Sequence, residues 1–287
     1  MSERPDAAPD RTPALRPEDR AVTPARIGLG RTGVSQTTAA ALAFALDHAR
    51  ARDAVHHALD PEALIQALGD FGRGALVVAS QAADRSLYLT RPDQGARLAP
   101  DSVAALSAPT DRGADLVVML ADGLSSRALQ HAPALLAALV PRLQADGWRL
   151  AAPVIARHAR VALGDEIGAR LGAALVLVLI GERPGLSAAD SLGAYLTWAP
   201  EAGRSNAQRN CVSNIRPEGL PPPAAADTLH WLLTEARRRR LSGVRLKDQS
   251  GLPRIGEPGS DRDTPAVSVR ADRSATHPVS GSQREPA

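Results

Sequence analysis

The sequence contains one cysteine, Cys211, among its 287 residues. A disulfide needs two cysteines, and a zinc site made of clustered cysteines needs several, so a single cysteine excludes both. Proteins without disulfides are typical of reducing compartments. We therefore expect a cytoplasmic protein that folds without covalent cross-links.

Aromatic residues are also scarce and make up 2% of the chain. The core must therefore consist of alanine, leucine, valine and isoleucine, whose small volumes favour close packing of helices and strands. Long hydrophobic runs are absent too. The longest purely aliphatic stretch, residues 173–180, is far too short to span a bilayer, and no signal-peptide pattern opens the chain. We expect neither a membrane span nor secretion.

Motifs of self-contained catalysis are missing. The sequence has no G-x-S-x-G nucleophile elbow, no H-E-x-x-H metal motif and no P-loop. The charge gives little support to nucleic-acid binding, because 34 lysines and arginines are nearly balanced by 31 acids, for a net charge of +3. The function must therefore be sought in the binding loops of the fold.

Composition divides the chain into four regions. Residues 1–24 and 251–287 are polar and proline-containing without a hydrophobic period, which predicts a disordered leader and a disordered tail. Residues 25–69 carry helical patterns and are predicted to form a small helical N-terminal region. Residues 70–250 alternate strand and helix patterns and are predicted to form the main, ligand-binding domain.

The main domain is predicted to be an α/β fold. Aliphatic runs of strand length occupy residues 116–121 and 174–180, with helical patterns between them. A continuous Val/Leu/Ile run flanked by helices is typical of a buried parallel strand, and the alternation favours a Rossmann-like, doubly wound, mostly parallel sheet. Ligands of such sheets bind beyond the carboxyl ends of the strands. Residues 153–218, where apolar runs repeatedly end in polar loops, are therefore the predicted binding region.

Asp122 stands directly after the strand predicted at residues 116–121. A side chain at this place can contact a ligand of a parallel sheet, but capping of the following helix explains the acid at least as well. That helix contains Pro133 and Pro141, which predict a break or a kink.

A glycine-rich segment precedes the first predicted helix. Gly28, Gly30 and Gly33 spell G-x-G-x-x-G, and Asp53 follows 20 residues after the last of them. This pattern indicates a dinucleotide site only directly after a buried strand. Here Ile27 is the one aliphatic strand-type residue directly before the glycines, which is too little for a strand. A loop that caps a helix and packs on a partner is the better interpretation.

Residues 37–55 carry a helical pattern after this loop. Apolar and polar positions fall on opposite faces, which predicts an amphipathic helix. The apolar positions are Ala41, Leu42, Ala45, Leu46 and Ala49.

Few side chains qualify for nucleophilic or acid–base chemistry. Cys211 could be a nucleophile with a histidine as its base, although a lone cysteine beside valine is more commonly a small packed residue. Asp165, Glu166 and Glu182 are candidate acid–base groups, but adjacent residues such as the first two point to different faces of a helix. The loops instead predict a binding surface for a large ligand with polar edges.

Several motifs within residues 26–248 carry a specific resemblance. They are R-I-G-L-G-R-T-G, H-A-R-A-R-D-A-V-H, A-D-G-L-S, V-A-L-G-D-E-I-G, L-I-G-E-R-P-G-L-S-A-A-D-S-L-G-A-Y-L-T, R-N-C-V-S-N-I-R-P-E-G-L and L-S-G-V-R-L-K-D. In this order they resemble the small (light) subunit family of ethanolamine ammonia-lyase, a bacterial adenosylcobalamin-dependent enzyme. The two tails lie outside the resemblance, and Gln249 stands where an acid is expected.

The resemblance implies a division of labour between two subunits. A Rossmann-like small subunit covers the corrin of adenosylcobalamin (coenzyme B12), while a large subunit, a TIM barrel, binds ethanolamine. Homolysis of the Co–C bond generates an adenosyl radical that abstracts hydrogen from the substrate, and amino-group migration or elimination gives acetaldehyde and ammonia. The resemblance further implies an α6β6 hetero-oligomer, and it leaves open whether the host packages the enzyme in a bacterial microcompartment.

Matching the family's motifs residue by residue implies three cofactor contacts. Val161 in V-A-L-G packs on the corrin, Glu182 in G-E-R-P-G accepts hydrogen bonds from corrin amides, and Cys211 in R-N-C-V-S offers a small, soft contact. The resemblance assigns no catalytic or metal-binding residue to this chain. The alternatives are a stand-alone Rossmann-type oxidoreductase with a nucleotide cofactor, and a scaffold protein without a ligand.

Overall fold

The computed structural model describes residues 25–107 and 113–251. The predicted leader, and the predicted tail from residue 252 onward, lie outside the described residues. The described residues up to Ser250 belong to one compact unit. A division of this unit at residue 70 into a helical region and a sheet domain stays a prediction.

A hairpin and a long helix open the described chain. Strands β1 (Arg31–Thr32) and β2 (Ser35–Gln36) pair antiparallel, and helix α1 spans Thr38–His56. The side chain of Thr37 caps this helix by accepting a hydrogen bond from the amide of Ala40 at 3.3 Å. The helix predicted at residues 37–55 is therefore confirmed.

The predicted apolar face of α1 is not buried by the other residues that the structure describes. Ala54 is the one buried residue of the helix, whereas the side chains of Leu42 and Leu46 are 65% and 51% exposed. Phe44 is 46% exposed as well, with the guanidinium of Arg26 lying 5.3 Å from its ring centre. The helix therefore presents apolar surface outward.

A second helix, α2 (Pro61–Ala67), has the capping chemistry that its sequence indicates. The carboxylate of Asp60 accepts hydrogen bonds from the amides of Glu62 and Ala63 at 3.0 and 3.1 Å, and proline occupies the first turn. A short 3₁₀ helix, Gly69–Gly72, then leads into the sheet.

Six strands form the main sheet. In chain order they are β3 (Leu76–Ala79), β4 (Leu116–Ala121), β5 (Val154–Arg157), β6 (Leu175–Gly181), β7 (Leu192–Trp198) and β8 (Arg209–Ile215). Their spatial order is β3-β5-β4-β6-β7-β8. The first four are parallel to one another, and β7 and β8 extend the sheet antiparallel.

The expected α/β fold with a mostly parallel sheet is confirmed, whereas a Rossmann topology is not. The four parallel strands follow one another in space in the chain order first, third, second, fourth. A Rossmann sheet begins 3-2-1-4. The pattern of apolar runs identifies strands but not their order, because order depends on which side of the sheet each crossover connection takes.

Helices cover both faces of the sheet. They are α3 (Arg85–Thr90), α4 (Pro92–Gly95), α5 (Pro100–Ser107), α6 (Ala132–Ala145), α7 (Leu163–Leu171) and α8 (Pro222–Arg239). Alternate residues of β4 point into two separate cores: Val118 packs with the buried side chains of α6 and α8, and Val117 packs with those of α5 and α7. The result is a three-layer α/β sandwich.

The helix after β4 does not break at Pro141, and the alternative of a kink stays a prediction. Pro133 lies in the first turn of α6, where a missing backbone N–H costs little, and the helix continues through Pro141 to Ala145. Leu139 and Leu143 are almost fully buried on either side of Pro141. Their packing outweighs the loss of one backbone hydrogen bond.

No helix in residues 25–107 or 113–251 is both long and apolar enough to cross a membrane.

Candidate functional site

A cavity of about 470 Å³ opens at the carboxyl end of the parallel strands. Its walls come from the segments that follow β4, β5 and β6, which is where ligands of parallel sheets bind. The lining residues are Tyr88, Leu124, Arg160, Val161, Ile180, Gly181, Glu182, Arg183 and Tyr195. Two of the three predicted cofactor contacts, Val161 and Glu182, therefore line one cavity.

Two glycines allow the β4 loop to lie against the end of β6. Gly123 has a φ of +55°, and a Cβ there would overlap the carbonyl oxygen of Gly181. A Cβ on Gly181 would in turn overlap the carbonyl oxygen of Ser125. This close approach lets the amide of Leu124 donate a 2.9 Å hydrogen bond to the carbonyl of Gly181, which closes one wall of the cavity.

Asp122 holds the loop after β5. Its side chain is buried, and its two carboxylate oxygens accept hydrogen bonds from the amides of His158 and Ala159 at 2.8 and 3.1 Å. Burial raises the pKa of this carboxyl, while the two amide donors and the Arg85 guanidinium, 3.8 Å away, oppose that rise. Asp122 is thus neither a cap of the next helix nor a residue lining the cavity. It positions the segment that carries Arg160 and Val161.

Arg85 ties three segments together beside the cavity. Its Nε donates to the carbonyl of Val55 at the end of α1, and its Nη1 donates to the carbonyl of Gly123, both at 2.6 Å. Its guanidinium also lies 4.9 Å from the ring centre of Tyr88. The exposed helix α1 is in this way anchored at its C-terminal end to the β4 loop.

Tyr88 lies between two arginines. The guanidinium of Arg160 is 4.2 Å from the ring centre of Tyr88, in addition to the contact that Arg85 makes with the same ring. Burial raises the pKa of the Tyr88 hydroxyl to about 12, so the ring stays neutral at physiological pH. The amide of Arg160 donates to the carbonyl of Gly95 at 2.8 Å, which fixes the backbone at the cavity wall.

Glu182 follows β6 and is half-buried. Its Oε2 accepts hydrogen bonds from the hydroxyl of Ser191 and, at 3.1 Å, from the amide of Asn214. The carboxylate therefore joins β6 to β7 and β8 while it lines the cavity. A fixed acceptor of this kind suits a ligand that presents N–H groups.

Cys211 lies on β8 and not in a loop, contrary to the sequence interpretation. It lies opposite Tyr195 in the register of the β7–β8 pair. Cys211 does not line the cavity itself but adjoins it through Tyr195. Partial desolvation raises the pKa of the Cys211 thiol, although the residue is exposed enough to react.

Alkylation of Cys211 by iodoacetamide is expected to be slower in the folded chain than in the urea-unfolded chain at neutral pH. The raised pKa keeps the thiol protonated, and only the thiolate reacts. The two rates should converge as alkaline pH ionises both thiols. Mass spectrometry reports the reaction cleanly because the chain has one cysteine. Equal rates at neutral pH would contradict the prediction.

The adjacent acids that could have formed an acid–base pair have structural partners instead. Asp165 forms a buried ion pair with Arg209, and burial raises the pKa of this carboxyl while the guanidinium opposes the rise. Glu166 accepts a hydrogen bond from the amide of Leu98 at 3.0 Å and pairs with Arg170 at 2.9 Å. Neither carboxylate lines the cavity. Among the described residues, moreover, no group of three His, Cys, Asp or Glu side chains could hold a metal ion.

The G-x-G-x-x-G segment does not occupy the place that a dinucleotide site requires. Gly33 forms the turn between β1 and β2, which pair only with each other and lie outside the six-stranded sheet. Within residues 25–107 and 113–251, no parallel strand leads into these glycines. The dinucleotide alternative gains no support from this placement.

Sequence reasoning missed three side chains of the cavity: Tyr88, Arg160 and Tyr195. A signal for two of them was present, because the sequence has only two tyrosines and both line this cavity. In a chain so poor in aromatics, a shared location of the tyrosines indicates a ligand surface, since aromatic rings combine large apolar faces with a polar edge.

Comparison with known proteins agrees with the motifs. The family model of the ethanolamine ammonia-lyase light chain matches residues 17–247. The ethanolamine ammonia-lyase small subunit of Azotobacter vinelandii is 50% identical over 258 residues, which cover 88% of this chain and 96% of that protein. The small subunit of Bradyrhizobium diazoefficiens is 52% identical over 247 residues, 85% of this chain and 94% of that protein.

A third small subunit, that of Rhodopseudomonas palustris, is 53% identical over 234 residues, which cover 81% of this chain and 90% of that protein. Matches of this extent include every strand of the sheet and all segments that line the cavity. The chain therefore belongs to the ethanolamine ammonia-lyase light-chain family, the small subunits of that lyase.

Proposed function

We propose that this chain binds the corrin of adenosylcobalamin at the carboxyl-end cavity, as the small subunit of an enzyme that converts ethanolamine to acetaldehyde and ammonia. One observation carries the proposal: Val161 and Glu182 line the same cavity, and Tyr195 in its wall is the cross-strand neighbour of Cys211. The three residues implied by the family resemblance come from separate segments, yet they meet at one edge of the sheet.

The chemistry of the cavity fits a corrin edge. Corrin side chains end in amides, which offer both N–H donors and carbonyl acceptors. The cavity supplies an acceptor in Glu182, donors in Arg160 and Arg183, and an apolar contact in Val161. A corrin with its side chains is larger than about 470 Å³, so this chain covers only part of it. A second protein surface has to cover the rest.

A small subunit implies a large-subunit partner. Bound adenosylcobalamin supplies a radical through homolysis of its Co–C bond. Within residues 25–107 and 113–251, no nucleophile–base pair lies at the cavity. We assign this chain the role of binding and orienting the cofactor. We assign substrate binding to the large subunit, a TIM barrel, in an α6β6 assembly whose packaging in a microcompartment stays open. The outward apolar side chains of α1 support a chain that works inside an assembly.

Replacing Glu182 with alanine is expected to weaken cobalamin binding by about 1 to 3 kcal/mol, because amide donors of the corrin lose their acceptor. The measurement is an absorbance titration of the co-expressed large and small subunits with cyanocobalamin, followed by an ammonia-release assay with adenosylcobalamin. Glu182→Gln keeps the shape and one carbonyl acceptor and is expected to bind more tightly than the alanine variant. Glu218→Ala is the matched control, because this exposed carboxylate pairs only with Arg216.

Two outcomes would reject the proposal. If the wild-type complex showed no corrin absorbance after gel filtration, the proposed cobalamin-binding role would be rejected. Unchanged cobalamin affinity in the Glu182→Ala complex would show that the cavity does not contact the corrin. Quenching of NAD(P)H fluorescence by the isolated chain would favour the nucleotide-binding alternative.

A further inference from the structure

Arg160 has a polar atom that nothing in the chain explains. Its Nε is buried and has no hydrogen-bond partner among the described residues. Its Nη2 donates to the carbonyl of Tyr88 at 3.0 Å, and its guanidinium lies over the Tyr88 ring. Leaving a charged donor buried without an acceptor costs free energy, and native structures accept that cost chiefly where a position serves function.

Arg160 has no ion-pair partner among the described residues, although the carboxylate of Glu182 lines the same cavity. Arginine stays protonated in proteins, and both Arg85 and Arg160 lie against the Tyr88 ring. The nearby Asp122 is within ion-pair distance of Arg85, and no carboxylate of the described residues is within that distance of Arg160. Tyr88 is neutral, because burial raises its pKa to about 12. Nε is closed to a ligand, so an oxygen that enters the cavity can reach the guanidinium of Arg160 only at another nitrogen.

We infer that Arg160 is a cofactor-contacting residue, whose guanidinium donates from Nη1 to an acceptor oxygen of the bound corrin compound. Nη1 makes no hydrogen bond within the described residues, and Arg160 lines the cavity next to Val161. Tyr88 and the backbone of Gly95 hold the side chain in place, so little conformational freedom is lost on binding. This inference rests on the proposed function.

The acceptor oxygen has two sources on a cobalamin: a carbonyl of a corrin side-chain amide, or the phosphate of the nucleotide arm. The test uses the complex of both subunits and two ligands, cyanocobalamin and dicyanocobinamide, which lacks the nucleotide arm. Arg160→Met keeps the length of the side chain without its donors. It is expected to weaken cyanocobalamin binding about tenfold, as measured by absorbance titration or equilibrium dialysis. An equal loss for both ligands identifies the amide, and a loss confined to cyanocobalamin identifies the phosphate.

Arg157→Met is the matched control, because this exposed arginine ends β5, three residues earlier, and does not line the cavity. Its complex should bind both ligands as the wild type does. Arg160→Lys, which keeps the charge but not the planar fork of donors, is the second variant in case the methionine variant fails to assemble. It should also bind more weakly.

Unchanged affinity for both ligands in the Arg160→Met complex, or in Arg160→Lys if only that variant assembles, would overturn the inference. A wild-type complex that binds neither ligand would instead reject the proposed function. The two failures are therefore distinguishable.

Discussion

Replacing Arg209 with methionine is expected to lower the free energy of unfolding by about 3 to 5 kcal/mol, because the substitution strands a buried carboxylate. The side chains of Asp165 on α7 and Arg209 on β8 are 1% and 3% exposed, and they form an ion pair with each other. Asp165 has a pKa already raised by burial, with Arg209 as the main opposing influence. Without that influence the pKa should rise further.

Urea unfolding of the full chain measures this effect. The loss of stability in Arg209→Met should shrink as the pH falls. The pKa of Asp165 is raised in the folded state, so the folded variant takes up a proton at a pH where the unfolded chain does not. Protonation removes the unpaired buried charge and restores part of the free energy of unfolding. Arg170→Met on the same helix is the matched control: its ion pair with Glu166 is partly exposed and should contribute less than about 1 kcal/mol. The double variant Asp165→Leu with Arg209→Met should recover much of the stability, since no charge is then left unpaired.

A loss below about 1 kcal/mol in Arg209→Met would contradict this account, since that value is typical of exposed pairs. It would mean that Asp165 finds another partner or takes up a proton at little cost. Thr197, the cross-strand neighbour of Arg209, is the residue to vary next.

Replacing Gly181 with alanine is expected to destabilise the chain by about 3 kcal/mol or more, at the upper end of overpacking effects. The added Cβ would overlap the carbonyl oxygen of Ser125 and lie 2.7 Å from that of Asp122. Both are backbone atoms, so relief requires a shift of the β4 loop. Because that loop forms a wall of the cavity, cobalamin binding by the two-subunit complex should weaken as well.

Gly185→Ala is the matched control for this prediction. A Cβ on Gly185 would lie 3.8 Å from its nearest neighbour, the carbonyl oxygen of Ala188, which is ordinary van der Waals contact. Urea unfolding and the cobalamin titration should both leave this variant close to wild type. If Gly181→Ala behaved like Gly185→Ala, the close approach of the β4 loop to β6 would not exist in solution.

The local elements were largely predictable from sequence. Continuous aliphatic runs indicated β4 and β6, and apolar spacing indicated α1, because strand and helix patterns depend on neighbouring residues alone. β8 was missed because its buried residues, Arg209, Val212 and Ile215, do not alternate with exposed ones and several of its residues are polar, so its pattern resembles that of a loop.

The site was predictable only in part. The resemblance pointed to Val161, Glu182 and Cys211, and the structure shows the first two on one cavity and the third behind Tyr195. It gave no sign of Arg160. The role of Asp122 was open between ligand contact and helix cap, and its partners turned out to be two amides 36 and 37 residues away.

By itself the sequence determined the family and the mixed α/β class, since both depend on motifs or periodicities that are local in the chain. The tertiary structure alone decided the strand order β3-β5-β4-β6-β7-β8, the outward face of α1, the pairing of Asp165 with Arg209, and the meeting of Arg160 with Tyr88. These features join residues far apart in sequence. They form only when the crossover connections close and the polar groups buried by that closure must each find a partner.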